Sequence, residues 1–252
     1  MIERVAKLLD RCGGRMSVMP PTELYNEGWL LRVALDWFST DGTSDSRLFF
    51  SPGAAWYSEG RLASRFLARS RSDKKAEGFT HADGTIGHFS VSPGERSEIV
   101  PVADATQLVV IEAKLGSPLS SGTTNAPGYD QAARTAACLV HIASKAKVEP
   151  SSLTHYGFYV VAPEAQINAG VFASLVTKES IEEKVRRRAA QFGGGATEWI
   201  DKTFMLYFAA LKVGLVSWEQ IIAEMSAGSF ASEYGRFYEM CCSFVPRLRS
   251  AA

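Results

Sequence analysis

The sequence predicts an α/β protein, because segments with helical spacing of apolar residues alternate with short runs of apolar and β-branched residues. The two clearest short runs are residues 107–114, with the sequence QLVVIEAK, and residues 155–162, with the sequence HYGFYVVA. Between them, residues 130–145 place alanines on one helical face, which allows close packing on a sheet. The order helix, strands, helix, strand is therefore expected.

Two helices are predicted before the first strand. Residues 22–38 carry apolar residues at helical spacing after Pro20-Pro21, a pair that can open a helix but cannot lie inside one. In residues 56–69 the apolar side chains share one predicted helical face, and a basic stripe follows the other. The stripe consists of Arg61, Arg65 and Arg69.

The remaining segments are assigned by turn and capping signals. Residues 77–91 predict a pair of strands or a strand with a tight turn, and residues 116–128 a loop. After about residue 170 the chain becomes mainly helical, with capping boxes expected to begin at Ser180 and Ser217. Three glycines from Gly193 onward follow a predicted helix as a C-cap would, and Arg186 to Arg188 are expected in that helix's exposed last turn.

Composition excludes several classes of protein. The 27 basic and 27 acidic residues cancel, which counts against a histone-like coating role, so a phosphate-binding surface has to come from local clustering. The four cysteines show no Cys-x-x-Cys spacing, and we expect them to be reduced. The first residues show no signal peptide, and no apolar run is long enough to span a bilayer, so we expect a cytoplasmic protein without a membrane partner.

The apolar run at 107–114 ends in an acid and an amine that could take part in catalysis. Side chains alternate across a strand, so Glu112 and Lys114 should point to the same side. The same acid-x-Lys spacing occurs at Asp73/Lys75 and at Glu182/Lys184, but neither of those pairs follows an apolar strand. An acid and a base at one strand end suit metal-dependent phosphodiester hydrolysis. The alternative is a buried strand that simply becomes polar where it reaches solvent.

Two further residues extend this pair. Asp83 precedes a short apolar strand upstream, and Gln131 opens the helix after the long loop. Asp83, then Ile111-Glu112-Ala113-Lys114, then Gln131 resemble the signature of the PD-(D/E)XK, or restriction-endonuclease-like, nuclease superfamily. The order of elements is also similar to its α-β-β-β-α-β core, a mixed sheet flanked by helices.

The resemblance covers about residues 55–165. With no linker to divide the chain, we expect one domain over residues 1–252, with residues 1–54 as an N-terminal helical extension and residues 170–252 as a C-terminal helical region. Position 82 is Ala where the motif's name has Pro. Asp-Gly is also a common turn dipeptide, and a turn at Asp83-Gly84 would reduce the site to Glu112 and Lys114.

The resemblance implies a magnesium site, with Mn²⁺ as the alternative ion. Asp83, Glu112 and the carbonyl of Ala113 would be the ligands, since Mg²⁺ prefers oxygen donors. Lys114 would orient the attacking water or stabilise developing charge, and Gln131 would support the site from its helix. Many members carry a further acid on the first core helix, for which Glu59 is the candidate and Glu27 the alternative.

The predicted function is therefore metal-dependent hydrolysis of nucleic acid, with DNA as the expected substrate and an endonuclease of restriction, repair or defence type as the expected class. A homodimer is left open, because many relatives cut duplex DNA as dimers. The alternative is a non-catalytic module that binds nucleic acid or protein on the same fold. His81, His88 and His155 are expected to be ordinary strand or turn histidines, because they lack a zinc-site spacing.

Overall fold

The computed structural model describes residues 2–12, 19–70, 73–92, 97–225 and 228–245. In this part of the chain the strands are β1 (Ala55–Leu62), β2 (Thr80–Gly87), β3 (Phe89–Val91), β4 (Ile99–Pro101), β5 (Gln107–Ala113), β6 (Gly122–Thr123), β7 (Ala126–Pro127), β8 (His155–Ala162) and β9 (Lys212–Ser217). Five of them form the central sheet, in the order β1-β2-β5-β8-β9.

Helices cover both faces of that sheet. They are α1 (Ile2–Asp10), α2 (Glu27–Asp41), α3 (Gln131–Lys145), α4 (Glu164–Asn168), α5 (Lys178–Phe192), α6 (Ala196–Trp199), α7 (Met205–Ala210), α8 (Trp218–Glu224) and α9 (Ser229–Ser243). A short 3-10 helix at Pro21–Glu23 precedes α2, and a π-helical segment at Ile200–Phe204 joins α6 to α7. No helix in the described ranges combines the length and apolar character that crossing a bilayer requires.

The sheet is mixed. Strands β1, β2 and β5 pair antiparallel, whereas β5, β8 and β9 pair parallel. Parallel neighbours need a crossover connection, and α3 supplies it between β5 and β8. The chain is therefore an α/β protein with a five-stranded mixed sheet flanked by helices.

Alternating residues of the central strands feed two separate cores. Leu108 and Val110 of β5 pack with α3, α5 and α7 on one face. Val109 and Ile111 pack with α2, α8 and α9 on the other. Because both faces are covered, all seven residues of β5 are buried, which is why this strand is a continuous apolar run in the sequence.

Several predicted elements are confirmed. The runs at 107–114 and 155–162 form β5 and β8, and the alanine-rich segment forms α3, whose N-cap Asp130 accepts a hydrogen bond from the Ala133 amide. The capping box at Ser217 is present at the start of α8, and Gly193 ends α5 at φ 73°. These signals are local, which is why the sequence shows them directly.

The helix predicted over residues 56–69 is wrong. Residues 55–62 form β1, which pairs antiparallel with β2 over nearly its whole length, and residues 63–70 contain no helix. Helical and strand periodicities are hard to separate over one or two turns, and pairing with β2 decided between them. The basic stripe does not exist as a helix face: Arg61 pairs with Glu98 at 2.7 Å and Arg69 with Asp73 at 2.8 Å.

Other boundaries differ from the sequence prediction. The helix expected from residue 22 begins at Glu27, because Asn26 caps it by accepting from the Trp29 amide. Thr177, and not Ser180, caps α5. Strand β9 was missed inside the region expected to be mainly helical. After β2, the segment Phe89–Val91 pairs with β4, and the loop at 116–128 contains the small hairpin of β6 and β7.

Candidate functional site

The two predicted carboxylates lie on neighbouring strands. In the antiparallel register of β2 and β5, Gly84 is opposite Ile111, which brings Asp83 next to Glu112. The Oδ2 atom of Asp83 accepts a hydrogen bond of 2.8 Å from the amide of Ala113. Asp83 lies inside β2 and not in a turn, so the turn alternative for Asp83-Gly84 is wrong.

Two side chains bind one oxygen of Glu112. The Lys114 ammonium and the Gln131 side-chain amide both donate to Glu112 Oε1. Lys114 reaches it from the end of the same strand, as the period-2 alternation predicts, and Gln131 reaches it from the first turn of α3. The structure thus brings together the four side chains that the sequence proposed from three separate segments.

The second oxygen of Glu112 has a different environment. Glu112 is only 1% exposed, and its Oε2 atom is buried without a hydrogen-bond partner in the described chain. Burial, together with the negative charge of Asp83 and a contact with that carboxylate, raises the pKa of Glu112 to about 8, although Lys114 acts in the opposite direction. A buried carboxylate with one orphaned oxygen, beside a second, half-buried acid, is a place where a cation would be stabilised.

The donor set fits a hard divalent cation. Asp83 and Glu112 supply carboxylate oxygens, and the Ala113 carbonyl points toward β2, on the same side as the Ala113 amide that Asp83 binds. Among the described residues, no group of three or more His, Cys, Asp or Glu side chains is arranged to hold a metal. A metal at this position would accordingly rely on two carboxylates, one main-chain oxygen and water, which is how Mg²⁺ is commonly held.

Glu59 lies close to the site, but not on a helix as predicted. It belongs to β1 and falls opposite Asp83, between the pairs Ser58–Gly84 and Gly60–Ala82. Its φ of 59° is left-handed, a conformation that costs a non-glycine residue roughly 1–2 kcal/mol. Burial and the charge of Asp83 raise the pKa of the Glu59 carboxyl.

The helix before β1 carries the alternative acid, Glu27, in its first turn. The negative charge of Glu27 helps to raise the pKa of the Cys241 thiol on α9, so this carboxylate lies on the α9 side of α2. Another residue of α2, Arg32, does reach the site region. Its guanidinium donates to Ser58 Oγ at 2.9 Å and lies 3.4 Å from Glu59.

The sequence did not predict two of the residues that hold the site in place, Trp218 and Lys184. Trp218 is fully buried and its indole N–H donates to the Lys114 carbonyl at 3.0 Å, across 104 positions of chain. Lys184 of α5 lies 2.6 Å from the carboxylate of Asp130, which caps α3 next to Gln131. No local pattern marks these contacts, because their partners come from distant segments.

The two other acid-x-Lys pairs, Asp73/Lys75 and Glu182/Lys184, differ from Glu112/Lys114 in their partners. Asp73 binds Arg69, and Glu182 binds Arg186, both as exposed pairs four residues apart. In the described structure the lysine ammonium pairs with the acid in neither of these two cases, whereas the Lys114 ammonium pairs with Glu112. The acid-x-Lys spacing alone therefore did not identify the site. The position of Glu112 and Lys114 at the end of the buried strand β5 did.

Two further expectations from the sequence concern Arg188 and the histidines. Arg188, expected to be exposed, is 1% exposed and pairs with Glu77 at 3.1 Å, so that expectation is wrong. The ring of His88 lies within hydrogen-bond distance of the Pro52 carbonyl, and His81 is an exposed residue of β2.

The chain matches no protein-family model, and comparison with curated proteins and with solved structures also finds no match. Its likeness to the nuclease superfamily consequently rests on four side chains and on the order of the elements that carry them.

Proposed function

We propose that this protein is a Mg²⁺-dependent nuclease that hydrolyses phosphodiester bonds in DNA. The observation that carries the proposal is that the half-buried Asp83 lies beside the buried Glu112 at the end of β5, with Lys114 bound to Glu112. The order α2, β1, β2, β5, α3, β8, with three antiparallel strands followed by a parallel one, supports a restriction-endonuclease-like core.

Each residue has a distinct task in this proposal. Asp83, Glu112 and the Ala113 carbonyl would hold the cation, and the Ala113 amide keeps the Asp83 carboxylate turned toward β5. When bound, Mg²⁺ supplies positive charge that neutralises the phosphodiester and makes a water more acidic. The same charge would stabilise the ionised form of Glu112, whose pKa is raised in its absence.

Lys114 is the residue with catalytic potential beyond ligation. Its side chain is 12% exposed, so it reaches the site surface while its main-chain carbonyl is held by Trp218. The ammonium has three donors, of which one binds Glu112. The others can orient the attacking water or contact the phosphate oxygen on which charge develops. Gln131 fixes the rotamer of Glu112 through its amide hydrogen bond.

The experiment incubates the purified chain with supercoiled, linear and single-stranded DNA and with RNA, in the presence of Mg²⁺, Mn²⁺ or EDTA. We expect cleavage of DNA with either metal and none with EDTA. Lys114→Ala should slow cleavage by about 10²–10³-fold, the usual effect of removing one preorganised donor from a transition state.

Lys202→Ala is the matched control, because this lysine is 73% exposed and forms an exposed pair with Glu198. It should cleave like the wild-type chain. Binding of nucleic acid without cleavage under any divalent metal would replace this proposal by a binding module, and equal rates for Lys114→Ala and Lys202→Ala would remove Lys114 from the mechanism.

A further inference from the structure

Positive charge is concentrated where the segment before β2 meets the second half of helix α5. The segments in contact are residues 65–70, 73–77 and 182–192. Together they contain eight basic and four acidic residues, although the whole chain has 27 of each. A chain without net charge can bind phosphates only through such local clustering, and it is present here.

Three of the eight basic side chains have little or no compensation. Lys74 and Lys75 are exposed and form no ion pair within the described part of the chain. Arg187 is 49% exposed, and its acidic neighbour Glu183 is 75% exposed and 3.8 Å away, so that pair is weak. We define Lys74, Lys75 and Arg187 as the basic surface. The carboxylates of these segments are paired in Asp73–Arg69, Glu77–Arg188, Glu182–Arg186 and Glu183–Arg187.

The main chain beneath the basic surface is held by hydrogen bonds. The buried guanidinium of Arg188 donates to the Lys75 carbonyl, which joins α5 to the segment before β2. Arg187 donates to the Gly128 carbonyl at 3.1 Å, which joins the same helix to the loop before α3. The ammonium and guanidinium groups are thus presented from a fixed framework, with donors left over for a ligand.

The basic surface adjoins the carboxylate site through the start of α3. Gly128 precedes Gln131 by three residues, a span of at most about 11 Å. Gln131 in turn donates to Glu112, on the side of the sheet that α3 and α5 cover. A row of phosphates that passes the carboxylates on this side therefore reaches Arg187 next.

The opposite face of the sheet has the reverse charge. Helix α2, which covers that face, contains three acidic residues and one basic residue. The basic residue, Arg32, pairs with Glu59, and Asp36 and Asp41 are exposed without an ion pair in the described structure. A polyanion bound at the carboxylate site is accordingly attracted toward α5 and repelled by α2.

The basic surface also lacks the apolar centre that protein interfaces usually have. Within residues 65–70, 73–77 and 182–192, no large hydrophobic side chain is exposed. Phe79, the nearest exposed one in sequence, has the guanidinium of Arg61 4.0 Å from its ring centroid. Charge without apolar area suits a phosphate backbone better than an acidic protein.

We infer that the phosphate backbone of a nucleic-acid substrate crosses from the carboxylate site over Lys74, Lys75 and Arg187, on the α5 side of the sheet. Two ammonium groups and one guanidinium donate charge-assisted hydrogen bonds to phosphate oxygens. Such contacts carry no sequence information directly, but they fix the direction in which the substrate lies. The identity of the ligand rests on the proposed function.

Fluorescence anisotropy of a labelled DNA duplex tests the surface. Binding is measured in EDTA, where no cleavage occurs, between about 50 and 200 mM salt. Lys74→Ala/Lys75→Ala/Arg187→Ala should bind at least about tenfold more weakly than the wild-type chain at 50 mM salt. Its plot of log affinity against log salt should be less steep by about three, since each lost phosphate contact lowers the slope by about one.

The matched control, Lys7→Ala/Lys147→Ala/Lys212→Ala, removes the same charge elsewhere. All three lysines are exposed and form no ion pair among the described residues. Lys147 follows the far end of α3, and Lys212 begins β9 at the end of the sheet opposite Glu112. This variant should keep the wild-type slope and affinity.

Lys74→Ala/Lys75→Ala guards against loss of the fold, because neither side chain donates a hydrogen bond in the described structure. It should lower the slope by about two. Equal slopes for the two triple variants would overturn the inference, and so would a chain that does not bind DNA at 50 mM salt. Polyglutamate that displaces the duplex as well as unlabelled DNA of equal charge would assign the surface to an acidic protein instead.

The nuclease proposal fails separately. Binding that depends on the basic surface, without cleavage under any divalent metal, would keep this inference and remove the catalysis. Metal-dependent cleavage with equal slopes for the two triple variants would keep the catalysis and remove the basic surface.

Discussion

Two buried carboxylates of this molecule have opposite surroundings. Glu77 is 6% exposed and Glu112 is 1% exposed, and burial is the main cause that raises the pKa of each. Glu77 lies 3.1 Å from the guanidinium of Arg188 and 3.5 Å from the hydroxyl of Ser64. Glu112 has Lys114 and Gln131 on one oxygen, no partner on the other, and the negative charge of Asp83 beside it.

The difference lies in how the buried negative charge is balanced at each carboxylate. At Glu77 the buried charge is neutralised by a guanidinium that is itself 99% buried, so the pair needs nothing further. At Glu112 a second acid has been added instead of a second base, which leaves a local excess of negative charge. Such an arrangement is unfavourable in the free protein and becomes favourable when a cation binds.

The largest expected effect is on folding stability. Glu77→Gln should lower the free energy of unfolding by roughly 3–5 kcal/mol, because it leaves the buried charge of Arg188 without its partner. Glu112→Gln should cost far less or stabilise the protein, since it puts a neutral amide in place of a carboxyl whose ionised form is disfavoured by burial and by Asp83. Urea unfolding of both variants measures this, and equal losses would mean that both carboxylates are structural.

The second prediction concerns the metal. Mg²⁺ at about 100 times its dissociation constant should stabilise the wild-type chain by about 2.7 kcal/mol. Asp83→Asn and Glu112→Gln should lose most of this gain, because each removes a carboxylate ligand, whereas Glu77→Gln should keep it. Thermal unfolding with and without Mg²⁺ gives the comparison, and an equal gain in all variants would place the metal elsewhere.

The third prediction is a pH dependence. The pKa of Glu112 is raised from 4.5 to about 8 in the folded protein, so the folded state holds a proton that the unfolded state releases between these values. The stability that this group contributes is present in full below about pH 4.5 and is lost as the pH rises through 8.

Relative to Glu112→Gln, the wild-type chain should therefore become progressively less stable between about pH 5 and pH 8 in the absence of metal. Urea unfolding of both proteins at several pH values in this window measures the difference. Mg²⁺ affinity should rise over the same window, because the cation competes with the proton on Glu112. A constant difference between the two proteins would show that Glu112 is already ionised at pH 5.

The smallest effect is expected at Glu59. Its side chain is 53% exposed and lies 3.4 Å from Arg32, so the pair should contribute less than about 1 kcal/mol to stability. Glu59→Gln should leave the free energy of unfolding in urea nearly unchanged, as expected for an exposed carboxylate and unlike the buried Glu77. A loss as large as that of Glu77→Gln would contradict this assignment.

The sequence determined the elements that local patterns encode. The apolar run of β5 can be recognised in the sequence, because a strand that is buried on both faces of the sheet must be apolar. The small-residue face of α3 can be recognised too, because close packing of a helix on a sheet requires small side chains. Period-2 alternation placed Glu112 and Lys114 on one side of the strand, and the contact between them follows.

Only the tertiary structure decided the rest. Whether residues 55–62 are helix or strand depended on pairing with β2, which also moved Glu59 from a predicted helix to a position opposite Asp83. The contacts of Trp218 with Lys114 and of Lys184 with Asp130 join segments far apart in the chain. Sequence spacing specifies which residues can share an element. The distance between two elements, and with it the charge balance around Glu112, is set only when the strands pair and the helices pack on the sheet.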